Sequence, residues 1–73
     1  MITINVLCDF KNYGGSYGPT SERTSHISIN ENMIVQVSDL QVSTSKIVYA
    51  KLYLLNGGEY YIDRFQREEL LRL

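Results

Sequence analysis

KIVYAKLYLLNGGEYYIDRFQREELLRL, residues Lys46 to Leu73, contains two strand-like runs, a glycine turn between them and a polar stretch with helix signals. Val48, Ala50, Leu52 and Leu54 are apolar at every second position, the period of one face of a pleated strand. The opposite face carries Ile47, Tyr49, Lys51, Tyr53 and Leu55. Asn56-Gly57-Gly58 supplies residues that tolerate positive φ, the usual punctuation of a hairpin. A two-residue loop would set Leu54 against Glu59 and Ala50 against Asp63 on the apolar face. A three-residue loop, with Gly58 left-handed in a bulge, sets Leu54 against Tyr60, Leu52 against Ile62, Tyr53 against Tyr61 and Lys51 against Asp63. A one-residue slip exchanges the faces of a strand, so burial favours the three-residue loop.

Asp63 and Gln66 have the spacing of a helix capping box. Glu68 and Glu69 fall early and Arg72 late, the order the helix dipole favours. Phe65, Leu70, Leu71 and Leu73 form an apolar side. About ten residues is too short for a helix to stand alone, so it is expected to dock on Leu52, Leu54, Tyr60 and Ile62.

Upstream, Ile2, Ile4, Val6, Cys8 and Phe10 alternate with Thr3, Asn5, Leu7 and Asp9, which predicts a strand over 2–10 with the first set inward. Lys11 to Arg23, KNYGGSYGPTSER, holds three of the five glycines and the only proline. That composition predicts a long loop and a first place to look for a binding surface. Thr24 to Asn30 alternates again, with Ile27 and Ile29 inward and His26, Ser28 and Asn30 outward. Met33 to Val37 is a further strand, continued by Leu40 and Val42 after a bend or bulge, and Ser43-Thr44-Ser45 is a polar turn. Short connections favour antiparallel neighbours. The expected fold is α+β and mostly β: a twisted five-stranded antiparallel sheet or small open barrel with one short C-terminal helix.

Seventy-three residues make a single domain, residues 1–73. A core of that size holds only on the order of 3–5 kcal/mol, so a partner or self-association is expected. The formal net charge of −1, with both signs scattered, gives no general attraction to nucleic acid or to an anionic membrane. Cys8 is the one cysteine, which excludes an intrachain disulfide and a cysteine-cluster metal site and fits a reducing, cytoplasmic compartment. The first ten residues, MITINVLCDF, lack a basic leader, and no apolar run approaches a membrane span.

From about Ile27 onward the chain resembles the small flagellar regulators of the FlbD/SwrD type and related short proteins of bacteria and their phages. The matching pieces are ISINENMIVQV, LYLLNGGEYYI and EELL. The chain departs from that pattern in having Arg64-Phe65 where the family has a Glu-Ser pair, and in its tyrosine-glycine segment. The resemblance implies a small non-enzymatic regulator and brings no site residues with it.

Chemistry-bearing residues are few. His26 has no identifiable partner for general-base work and reads as an outward polar residue. Cys8, in the inward register, reads as a small buried hydrophobe. Tyr13 to Gly18 imitates a phosphate-cradling loop, but a strand follows it instead of a helix N-terminus. Asp63, Glu68 and Glu69 read as solvated helix carboxylates without metal-ligand spacing. The expected function is therefore non-enzymatic: regulation or protein interaction through the tyrosine-glycine loop, the outer hairpin face or an exposed strand edge. Tyr13, Tyr17, Arg23, Tyr53 and Tyr61 are the candidate partner-binding residues, and no cofactor or metal is expected. The alternative is a nucleic-acid-binding module using Tyr53, Tyr61, Lys51, Lys11 and Arg23.

Overall fold

A computed structural model describes the backbone of residues 1–13 and 16–73, and the side chains of residues 1–10 and 18–73. The fold is α+β and mostly β. Its strands are β1 (Ile2–Leu7), β2 (Phe10–Tyr13), β3 (Ser16–Pro19), β4 (Thr24–Ile29), β5 (Ile34–Val37), β6 (Gln41–Val42), β7 (Val48–Leu54) and β8 (Glu59–Ile62). The helix α1 (Arg64–Leu71) follows β8, and a single 3-10 turn, Glu31–Met33, precedes β5. All pairings are antiparallel, and the strands fall into separate sheets that do not close into a barrel.

The β7–β8 hairpin keeps the expected faces in a different register. Ala50 pairs with Ile62, Leu52 with Tyr60, Lys51 with Tyr61 and Tyr53 with Glu59. The three-residue loop is Leu55-Asn56-Gly57, one position earlier than Asn56-Gly57-Gly58. Leu54 donates to Gly58 O at 2.9 Å, and Gly57, not Gly58, has the positive φ of 85°. The reason is local: Asn56 Oδ1 accepts from Gly58 N at 2.8 Å, a side-chain turn that pins the loop around Asn56. A shift of two residues preserves side-chain direction, so Ala50, Leu52, Leu54 and Ile62 still share the buried face.

β5 and β6 run along β7 as one bulged strand, as Leu40 and Val42 suggested. Pairing passes from Ile34–Leu54 to Val37–Leu52 and then to Gln41–Tyr49 and Val42–Val48. At the break, Ser38 fills the missing rung: its N donates to Lys51 O (2.9 Å) and its Oγ accepts from Lys51 N (2.8 Å). Arg67 of α1 donates through Nε to Ser38 O at 2.8 Å, tying the helix to this bulge.

The core is Ile4, Val6, Ile29, Ala50, Leu52, Leu54, Ile62 and Leu70, enclosed by the β1–β4 pair, the β7 sheet and α1. α1 docks on the expected face, but through Leu70 and Gln66. Phe65, Leu71 and Leu73 are exposed and Tyr60 lies at the rim, because a short helix turns few positions inward. Asp63 Oδ1 caps the helix by accepting from Gln66 N at 2.7 Å. The Gln66 side chain does not return to the cap; its Oε1 accepts from Asn5 N at 2.9 Å, closing the outer edge of β1. Glu68 and Glu69 lie beyond the first turn, and Glu68 faces Arg72 at 3.7 Å on the surface.

The stretch 11–23, expected to be a loop, carries most of β2 and all of β3. β1 ends at Leu7, and after a two-residue step β2 and β3 form their own hairpin, with Phe10 opposite Pro19 and Lys11 opposite Gly18. Cys8 N donates to Arg23 O and Thr20 N to Asp9 O, so Ser21 and Glu22 have no opposite residue. This two-residue bulge bends one long ribbon, β1–β2 against β3–β4, through a corner. The corner also breaks the predicted alternation: Leu7 is buried, Cys8 is half-buried and Phe10 is 47% exposed.

Candidate binding cleft

The corner is held by a carboxylate. Asp9 Oδ2 accepts from Ser21 Oγ (2.6 Å) and Arg23 Nε (3.1 Å), and Oδ1 accepts from Arg23 Nη2 (2.7 Å). The hydrogen bond from Arg23, then that from Ser21, holds the Asp9 carboxyl below its ordinary range, and the pairing raises Arg23 further. Ser21 Oγ also accepts from Arg23 N at 3.2 Å.

Beyond the corner the ribbon crosses the second face of β7. Pro19 is buried, and its carbonyl accepts from Ser43 Oγ at 2.7 Å. Gly18 lies so close to the β6–β7 turn that a Cβ there would meet Ser43 Cβ at 2.9 Å. Phe10 packs on Tyr61 with ring centroids 5.5 Å apart, and Tyr49 meets Tyr61 edge-on at 5.3 Å. Tyr49 is 5% exposed and its hydroxyl bonds Gln41 Oε1 at 3.2 Å. The face expected to lie outermost is thus half covered by the folded-over ribbon.

Where the ribbon bends away, a half-open cleft of about 650 Å³ remains. Val6, Leu7, Phe10, Ile27, Tyr60 and Tyr61 give it an apolar and aromatic lining, Cys8 adds a thiol, and Ser25, Lys51 and Glu59 supply polar groups. Its size and chemistry suit an apolar group presented by a ligand, with opposite charges available to orient it. Cys8 Sγ is directed to Arg23 O at 3.3 Å. A smaller groove of about 340 Å³ lies among Leu7, Ile47, Val48 and Phe65, with Glu22, Asp63 and Arg64.

The sequence-derived candidates are dispersed. Tyr61 lines the cleft, with Lys51 Nζ 6.0 Å from its ring centroid. Arg23 belongs to the corner, and Tyr53 is half-buried on β7 between Gln36 and Glu59. The Tyr13 and Tyr17 side chains, and that of Lys11, lie outside the described residues. His26 is exposed on β4, away from the cleft lining. Asp63 serves as the helix cap. Among the described residues no three His, Cys, Asp or Glu side chains are grouped to hold a metal ion, and no helix is long and apolar enough to cross a membrane.

Sequence reasoning missed Val6, Leu7, Cys8, Phe10, Ser25, Ile27, Glu59 and Tyr60 as cleft residues. The available signal was Asp9 and Arg23, opposite charges bracketing the glycine-rich segment, which mark a closed corner. Comparison with protein-family models, with curated proteins and with solved structures found no match.

Proposed function

We propose that this chain is a non-enzymatic protein-interaction domain of regulatory type, and that it binds an apolar side chain of a partner protein in the cleft beside Tyr60 and Tyr61. The observation that carries this reading is the lining itself: six apolar or aromatic side chains with Lys51 and Glu59 beside them. Apolar burial supplies affinity, and the two charges set which sequences around the inserted side chain are accepted. The aromatic pair is of the kind that concentrates binding energy at protein interfaces.

The test is capture from the source cells with the intact chain and with Tyr60→Ala and Glu59→Lys, two substitutions at exposed cleft positions. A protein retained by the parent, lost by both variants, and shifting the NMR resonances of Ile27, Tyr60 and Tyr61 on titration is the expected result. Equal capture by parent and variants, or shifts confined to other surfaces, contradicts the proposal.

A further inference from the structure

We infer that the partner presents a short extended segment in which an apolar residue stands between an acidic and a basic one, the acid meeting Lys51 and the base meeting Glu59. The inference rests on the reading of the cleft as a partner site and adds what that partner must carry.

The cleft is larger than one side chain needs. A cavity of about 150 Å³ encloses a benzene ring, and the cleft holds about 650 Å³. A single inserted side chain leaves most of that space unfilled, so its neighbours in the partner's chain enter with it.

The lining is divided between two walls of different chemistry. The ribbon supplies Val6, Leu7, Phe10 and Ile27, with Cys8 and Ser25, and no charge. Both charged residues come from the hairpin, Lys51 from β7 and Glu59 from β8. Pairing of Lys51 with Tyr61 and of Tyr53 with Glu59 puts the two on one face as diagonal neighbours. Long side chains so placed can reach each other. Among the described residues no ion pair joins them, whereas Asp9, Asp39 and Glu68 each face an arginine. Lys51 Nζ lies instead 6.0 Å from the Tyr61 ring centroid, and Glu59 is exposed. Two opposite charges held apart beside an apolar wall select an occupant of complementary charge.

Spacing defines the segment. Diagonal neighbours on adjacent strands stand roughly 7–8 Å apart. In an extended segment, residues i and i+2 share a side about 6.6–6.8 Å apart, while i+1 points to the opposite side. An acid and a base at i and i+2 therefore match Lys51 and Glu59, and the residue between them turns to the apolar wall of Val6, Leu7, Phe10 and Ile27. Charges at i and i+1 would drive one of them against that wall.

The test is an NMR titration of the full chain with four capped peptides, Gly-Glu-Leu-Lys-Gly, Gly-Glu-Leu-Glu-Gly, Gly-Lys-Leu-Lys-Gly and the neutral Gly-Ser-Leu-Ser-Gly, followed at Ile27 and Tyr60. The parent should bind the mixed-charge peptide roughly three- to tenfold more tightly than either like-charged one at low salt, with the gap closing as salt is raised. Glu59→Lys should transfer the preference to the Glu-Leu-Glu peptide, and Lys51→Glu to the Lys-Leu-Lys peptide. A reversed preference cannot come from partial loss of the fold, so both variants stay informative. Equal affinity of the parent for all four peptides, or an unchanged preference in both variants, leaves the cleft a partner site and overturns the charge pattern. No response of Ile27 and Tyr60 to any peptide overturns the reading of the cleft as well, and shifts there on concentrating the chain alone would mark a second copy as the occupant.

Discussion

Asp9 holds Arg23 across the corner of the ribbon through two hydrogen bonds, at 2.7 and 3.1 Å, while Ser21 takes a third place on the same carboxylate. The two residues stand fourteen positions apart and bracket the segment that folds over Tyr49 and Tyr61. An ionised carboxylate thus helps to hold the bend, and the Arg23 opposite it stays charged throughout the accessible range.

Acid should loosen this corner. The folded-state pKa of Asp9 lies below its ordinary value of 3.8, so its contribution is complete above that value and is lost as pH falls through the lower folded one. The urea midpoint of the parent should fall more steeply below pH about 4 than that of Asp9→Asn, which has no proton to gain. Above that pH Asp9→Asn should be the less stable of the two. Parallel curves for the two proteins would remove Asp9 from the account.

Gln66 is a buried polar side chain whose Oε1 takes up the outward N–H of Asn5. Gln66→Leu keeps the volume and leaves that N–H without an acceptor. It should destabilise the fold by about 1–3 kcal/mol in chemical denaturation. A neutral result would mean that water reaches Asn5 and that the edge of β1 is open.

Two turns of similar build should respond to glycine in opposite directions. Lys46 has φ 64°, left-handed and unfavourable for a side chain, and its N donates to Ser43 O at 2.9 Å. Gly57 has φ 85° with open space where a Cβ would lie. Lys46→Gly should stabilise by roughly 0.5–1 kcal/mol, the relief from strain exceeding the added freedom of the unfolded chain. Gly57→Ala should destabilise by about 1–2 kcal/mol through backbone conformation alone. Thermal unfolding of both variants checks the pair of signs.

Much of this architecture was readable where one periodicity governed one environment. Ala50, Leu52, Leu54 and Ile62 announced a buried hairpin face because burial tolerates shifts of two residues. The same tolerance made the register unreadable: alternation is blind to a two-residue slip, and only the Asn56 side-chain turn decides it. The ribbon was missed for another reason. Its second strand, Ser16–Pro19, carries Gly18 and Pro19, which ordinarily mark a loop, and here both lie buried against the β6–β7 turn. The cleft was then illegible, since it forms between segments that meet only because the corner bends. On the helix, Phe65 is the more apolar residue and Gln66 the buried one, a choice set by docking angle.

Close packing of Gly18 gives a direct handle on that contact. Gly18→Ala puts a Cβ 2.9 Å from Ser43 Cβ, and neither atom can rotate away. The substitution should destabilise by roughly 1–3 kcal/mol, as overpacking does. It should also increase proteolysis within residues 10–19. Unchanged stability would show that the ribbon does not rest on the β6–β7 turn.

The most direct measurement is the proton NOE spectrum of the aromatic side chains. With ring centroids 5.5 Å and 5.3 Å apart, Phe10 should give cross-peaks to Tyr61, and Tyr61 to Tyr49. The Phe10–Tyr61 peaks should weaken in Asp9→Asn at neutral pH, while those between Tyr61 and Tyr49, on the paired strands β7 and β8, should stay. A spectrum with contacts among Leu52, Ile62 and Leu70 but none between Phe10 and Tyr61 would leave the core standing, and would contradict the folded-over ribbon and the cleft it shapes.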